Sequence, residues 1–202
     1  MNERSFIFRL NMSSEGTDKR ELILNATESL VAIEGIHGLS MQKVAKQAGV
    51  AAGTIYRYFN DKEHLIEETR FHVTQRTADI IQAGLSDDMQ LKEKYTTIWL
   101  NIWHFSKTKN AIKSHMLFEL LCSNQSDQDA LKIKKMFYKI DQMFNEGKAQ
   151  GVFKPLDNDI LSSVSIESSA ALARRQRKNC SQIDEEAINQ AIDASWDALI
   201  NH

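Results

Sequence analysis

A single proline, Pro155, and eight glycines are all that interrupt these 202 residues, so the chain lacks the punctuation that many short strands would need between them. Long helices joined by short turns are therefore expected, and apolar residues recur at three- and four-residue spacing along most of the length. The composition, 42% hydrophobic and 26% charged, is that of an ordinary globular chain. No run approaches the roughly 18 apolar residues of a membrane span. The length suits one large domain, or a small one fused to a larger.

The most informative window runs from Gly38 to Lys62. Ser40 is placed to cap a helix whose buried stripe is Met41, Val44, Ala45 and Ala48, although Lys43 at the third position leaves the capping box incomplete. Gly49 follows as a stop, where a left-handed backbone is cheap. In the next segment, Ala52 to Phe59, Ile55 and Phe59 are four apart and face inward. Thr54, Tyr56, Arg57 and Tyr58 are left to look outward. Two short helices around a glycine turn, ending in polar aromatics, read as a helix-turn-helix that enters DNA.

Charge is distributed to match. The window holds Lys43, Lys46, Arg57 and Lys62 against Asp61 alone, an excess of three positive charges in a chain of net charge −2, so the remainder carries five negative. A basic reader on an acidic body suits a protein that meets phosphate through one face.

Around this window, residues 1–16 show no clear period and read as a flexible arm. Thr17 or Asp18 caps a first helix with a stripe of Leu22, Ala26, Leu30 and Ile33, ending near Gly35 or Gly38. Asn60 or Asp61 caps a fourth, whose period through Leu65, Ile66, Thr69, Val73, Ala78 and Ile81 runs to Gly84. Further helices are expected over 91–107, 111–123, 128–150, 157–178 and 184–200, about nine in all. The expected division is an arm at 1–16, a DNA-binding domain at 17–63 and a helical regulatory and dimerisation domain at 64–202.

Leu39-Ser40, Val44-Ala45, Ala48-Gly49-Val50, Gly53-Thr54-Ile55-Tyr56-Arg57-Tyr58-Phe59 and Asp61-Lys62-Glu63 with Leu65 strongly resemble the tetracycline-repressor (TetR) family of bacterial regulators. The match covers roughly residues 17 to 66; beyond it, only length, helicity and the turn from Gly151 to Pro155 are similar. The resemblance implies an all-α homodimer, each subunit with an N-terminal three-helix reader and a C-terminal helical body that binds an inducer and dimerises through its last two helices. It implies repression, relieved when a small, largely apolar ligand binds.

Carried over position by position, the resemblance puts Gln42, Thr54, Tyr56, Arg57 and Tyr58 where family members touch bases or phosphates. Arginine suits guanine, glutamine suits adenine, and hydroxyls tether phosphate. Lys62 combines an amine with a helix N-terminus, and Ser40 is a further phosphate contact besides being a cap. Ala52 and Gly53 complete the candidate surface. Polar residues are frequent in the family at Ala51 and Ala52, and their absence here leaves thymine-methyl contacts or shape readout. For Tyr56 the competing reading is core packing.

In the body, Trp99, Trp103, His104, Phe118, Glu119, Cys122, Phe137 and Phe144 are the candidate ligand-lining residues, since rings supply contact area and a few polar atoms set orientation. The same residues serve equally as a helical core. His115 and Glu119 lack a third ligand at metal spacing, so no metal or other cofactor is expected. Ser165, Ser169, Ile188, Ile192 and Trp196 are candidate dimer contacts, small side chains allowing close helix approach. Arg174, Arg175, Arg177 and Lys178 form a basic cluster read as solvated at a helix C-terminus.

Cys122 and Cys180 have no zinc or disulfide spacing, which fits a reducing cytoplasm. No nucleophile elbow, zinc-protease, phosphate-loop or dinucleotide motif appears, so an enzyme is not expected. Two alternatives to the inducible repressor stay open: a constitutive dimeric DNA-binding protein, and a thiol redox regulator using Cys122.

Overall fold

The structure, a computed structural model, describes residues 18–108, 111, 126–177 and 183–201. Among them are ten helices: α1 Lys19–Glu34, α2 Met41–Ala48, α3 Ala52–Ile55, α4 Lys62–Ile81, α5 Leu91–Ser106, α6 Asp127–Met136, α7 Tyr138–Ala149, α8 Asn158–Val164, α9 Glu167–Arg177 and α10 Glu185–Asp197. No strand is present among the described residues beyond one isolated antiparallel bridge between Phe153 and Ile200. The fold is all-α, with an N-terminal helix-turn-helix and a C-terminal helical domain. Two compact units divide the chain, residues 1–69 and 70–202, the boundary falling inside α4.

In the first unit, α1 starts where the Asp18 carboxylate accepts from the Arg20 N–H at 3.0 Å and stops at Gly35, whose φ of 72° suits only a residue without a Cβ. The expected stripe of α1 is corrected. Ile23, Leu24, Ala26, Thr27, Glu28 and Val31 are buried, whereas Leu22 is exposed and Ile33 is 79% exposed. Packing against α2 selects this rotated face, and Thr27 enters it without an unpaired hydroxyl by bonding the Ile23 carbonyl at 2.8 Å. Val44, Ala45, Leu39, Ile55, Phe59 and Leu65 complete the core.

The second unit is built around α5, which packs against α9, α7 and α10. Tyr95, Ile98, Trp99, Ile102 and Trp103 project from it into a core shared with Phe144, Phe153, Leu161, Ile166, Ala173, Ile192 and Leu199. The turn at Gly151 leads Val152 to Lys154 against the chain's last residues, through Lys154 N–H to Leu199 O at 2.8 Å and Asn201 N–H to Val152 O at 2.9 Å. Phe153 then stands edge-on to Trp196, ring centroids 5.2 Å apart.

Two helices expected to be continuous are broken. The 128–150 segment is interrupted at Phe137, where the buried Gln82 amide replaces the missing helical bonds: its Nε2 donates to Met136 O at 2.8 Å and its Oε1 accepts from Lys139 N–H at 2.9 Å. The 157–178 segment is interrupted at Ser165. There the Ser165 hydroxyl bonds Leu161 O, that of Ser168 bonds Ser165 O and that of Ser169 bonds Ile166 O, so side chains compete with the backbone ladder. The segments expected at 1–16 and 111–123 lie outside the described residues, Ala111 apart.

Candidate DNA-binding site

The site is built from α2, α3 and the turns that follow each. Ser40 caps α2, its hydroxyl accepting from the Lys43 N–H at 3.3 Å. Gly49 ends that helix at φ 66° and ψ 30°, and its left-handed turn redirects the chain toward α3. The recognition segment is shorter than its sequence pattern: α3 is one helical turn, Ala52–Ile55, continued by a tighter turn through Tyr56, Arg57 and Tyr58. Arg57 N–H bonds Thr54 O, and Tyr58 and Phe59 N–H both bond Ile55 O.

Within this segment inside and outside alternate sharply. Ile55 and Phe59 are buried, while Tyr56 is 58% and Tyr58 37% exposed, with Arg57 between them also exposed. Gln42, Ala52 and Gly53 are exposed; Ser40, Thr54 and Lys62 are half-buried. A tyrosine so exposed has no packing role, so the core reading of Tyr56 is set aside. Nothing crowds the α-carbon of Gly53, which leaves the backbone open to close approach.

Phe59 anchors the outward residues. Its ring lies under the Arg20 guanidinium, 5.7 Å from carbon to centroid, and edge-on to His64 at 5.9 Å. Arg20 is also paired with Glu68. Asp61 accepts the His64 N–H at 2.7 Å, starting α4, and the Asn60 N–H is held by His64 Nδ1 at 3.2 Å.

One element of the charge reading changes. Lys43 is bonded to the Glu34 carboxylate at 2.5 Å and to Gly38 O at 3.0 Å, so part of its charge is neutralised by an acid outside the basic window. Lys46, Arg57 and Lys62 are left as the cations available to an incoming phosphate.

Of the candidate ligand-lining residues, Trp99, Trp103 and Phe144 share one buried cluster, with Phe137 packed against it. Trp99 and Trp103 stack on one another, centroids 5.9 Å apart, as buried core residues, and Trp99 Nε1 donates to Ser168 at 3.3 Å. Phe144 is likewise core, Phe137 occupies the helix break, and His104 is exposed. Phe118, Glu119 and Cys122 lie outside the described residues, as do His115, Lys178 and Cys180.

Of the candidate dimer contacts, Ser165, Ser169 and Ile192 are buried within their own chain, while Ile188 and Trp196 are half-buried beside the core. Sequence reading missed Leu156, Ile160 and Val164, which carry exposed apolar side chains at four-residue spacing. The spacing itself was the available signal.

A capped, glycine-turned helix pair with a buried underside and an exposed rim of guanidinium, phenol and amide groups defines a helix-turn-helix DNA-binding protein. The comparisons agree with that class. Residues 23–69 match the family model described as bacterial regulatory proteins, tetR family, and residues 90–200 match that of the tetracyclin repressor-like C-terminal domain. An HTH-type transcriptional regulator of Haemophilus influenzae is 30% identical over 195 residues, covering 93% of this chain and 99% of its own.

A solved TetR-family protein from Vibrio parahaemolyticus is 50% identical, with a TM-score of 0.86 over 92% of this chain and all of that one. A TetR-family regulator from H. influenzae, 27% identical, gives 0.74 over 91% and 97%. The chain belongs to the TetR family of transcriptional regulators, and it is a DNA-binding regulator and not an enzyme. No helix among the described residues is long and apolar enough to cross a membrane.

Proposed function

We propose that the protein is a repressor that binds its operator as a homodimer and releases it when a small ligand binds the second unit. The observation that carries the DNA assignment is the run Ile55 to Phe59, whose ends are buried while Tyr56, Arg57 and Tyr58 between them face outward. Arg57 reads a guanine edge, Gln42 an adenine, and Thr54, Tyr56, Tyr58, Ser40 and Lys62 hold phosphates, with Ala52 and Gly53 lying close to the groove wall. Lys62 adds the α4 N-terminus to its own charge.

We place the dimer contact at the exposed apolar residues Leu156, Ile160 and Val164, which recur at four-residue spacing. Ile160→Glu is expected to shift the protein from dimer to monomer in sedimentation velocity; an unchanged dimer sinks this placement of the interface.

The experiment that tests the whole reading is selection of bound fragments from genomic DNA with the purified protein, followed by footprinting of the recovered site. A two-fold-related footprint, lost on adding a ligand found by thermal shift, is expected. Recovery of no preferred sequence overturns the operator assignment, and a footprint that no stabilising ligand weakens overturns induction.

A further inference from the structure

In the second unit a groove of about 710 Å³ lies between α4 and the broken pair α6–α7. From α4 and the turn after it, Gln75, Asp79, Gln82, Ala83 and Gly84 form one wall; the other carries Lys132, Lys135, Met136, Tyr138 and Lys139. The volume falls in the range of small-molecule sites, roughly 300 to 1,000 Å³.

Charge in this groove is unbalanced. Three lysines face a single carboxylate, Asp79, which is already bonded to the Gln75 amide at 2.8 Å. Among the described residues none of the three lysines forms an ion pair, although this chain pairs Lys43, Lys92 and Lys94 elsewhere. Lys132 rests over the Phe71 ring and Lys139 reaches Leu85 O only at 3.4 Å, so both ammonium groups retain donors to spare. Helix-dipole stabilisation accounts for Lys135, in the last turn of α6, and not for Lys132 or Lys139. A concave surface focuses such a field on whatever enters it.

Apolar surface sits within the same groove. Tyr138 is 57% exposed, and Met136 beside it adds an adaptable thioether. The Gln82 amide on the opposite wall is consumed by Met136 O and Lys139 N–H, which keeps both walls in register across the break at Phe137.

We propose that this groove binds a small organic anion with a flat or aliphatic body, its acid group held by Lys135 and Lys139 and its body lying against Tyr138 and Met136. The inference deepens the proposed ligand response by giving the ligand a negative charge, and it rests on that reading only for the consequence of binding, not for the site. A nucleic-acid backbone is the lesser fit: a phosphate chain gains nothing from a concave pocket with a carboxylate on one wall, whereas a single acid group avoids Asp79.

The test is calorimetric titration of the full-length protein with 2-naphthoate and with its neutral counterpart 2-naphthylmethanol. Naphthoate is expected to bind at one site per chain, more weakly as salt is raised. The Lys135→Gln, Lys139→Gln double variant is expected to bind it about tenfold more weakly, and Tyr138→Ala about fivefold more weakly. Both variants alter exposed or half-exposed side chains, and unchanged thermal melting certifies their fold.

Equal affinity for the neutral alcohol, indifference to the lysine substitutions, or no binding at about 2 mM naphthoate overturns the proposal. Operator release is measured separately: groove binding without release leaves the site standing and sinks only the induction reading.

Discussion

The side-chain amide of Gln82 donates to the main-chain oxygen of Met136 at 2.8 Å, joining positions 54 residues apart and closing one side of the break in the α6–α7 helix. Its other end accepts from Lys139 N–H, so a single buried side chain bonds one backbone group on each side of the break. Gln82→Ala leaves that carbonyl and N–H without partners, at an expected cost of roughly 2–4 kcal/mol in denaturant unfolding. A loss below 0.5 kcal/mol, on the order of a neutral surface change, means that water replaces the amide.

Arg57→Ala is expected to lower operator affinity by about 1–3 kcal/mol and to relax preference at one base pair, whereas Lys62→Ala weakens all sequences alike and reduces the salt slope by about one. Filter binding of operator and scrambled DNA across a salt series separates these outcomes. If both variants behave as wild type, neither residue touches DNA.

Gly147 tests core packing in the opposite sense from a cavity. A Cβ there would stand 2.1 Å from Phe153 Cδ2, and that ring is held between Phe144 and Trp196. Helix propensity favours alanine by about 1 kcal/mol, yet overpacking is expected to win and make Gly147→Ala less stable by about 1–3 kcal/mol. Thermal unfolding reads the sign; a stabilised variant shows that Phe153 yields freely.

Tyr95 predicts the alkaline behaviour. Its hydroxyl donates to Ser195 Oγ at 2.7 Å, and burial pushes its pKa up from 10 to about 12. Because the folded value lies above the unfolded one, the contribution is fully present below pH 10 and lost as pH rises from 10 to 12, by about 2–3 kcal/mol at most. Tyr95→Phe, which costs about 1 kcal/mol at neutral pH through the lost hydrogen bond, is expected to flatten this alkaline limb. An unchanged pH profile assigns the limb to another group.

What is legible locally in this protein lies at the level of single turns. The Ser40 cap, the left-handed Gly49 and the inward pair Ile55 and Phe59 all act within a few residues of one another, so their pattern survives in one dimension. The face of α1 did not: Leu22 and Ile33 fit the helical period as well as Ile23 and Val31 do, and only contact with α2 selects between them.

The helical class and the outward rim of the DNA-binding segment are encoded in residue order, because caps, turns and periodicity are short-range effects. The remainder follows from long-range packing. Phe137 breaks a helix because Gln82, distant in the chain, supplies the bonds that make a break tolerable. Ser165 and Ser169 turn inward, where the Leu161 and Ile166 carbonyls accept their hydroxyls, while Ile160 and Val164 face water. Burial of a polar side chain depends on where its hydrogen-bond partner arrives in space, and residue order alone does not encode that.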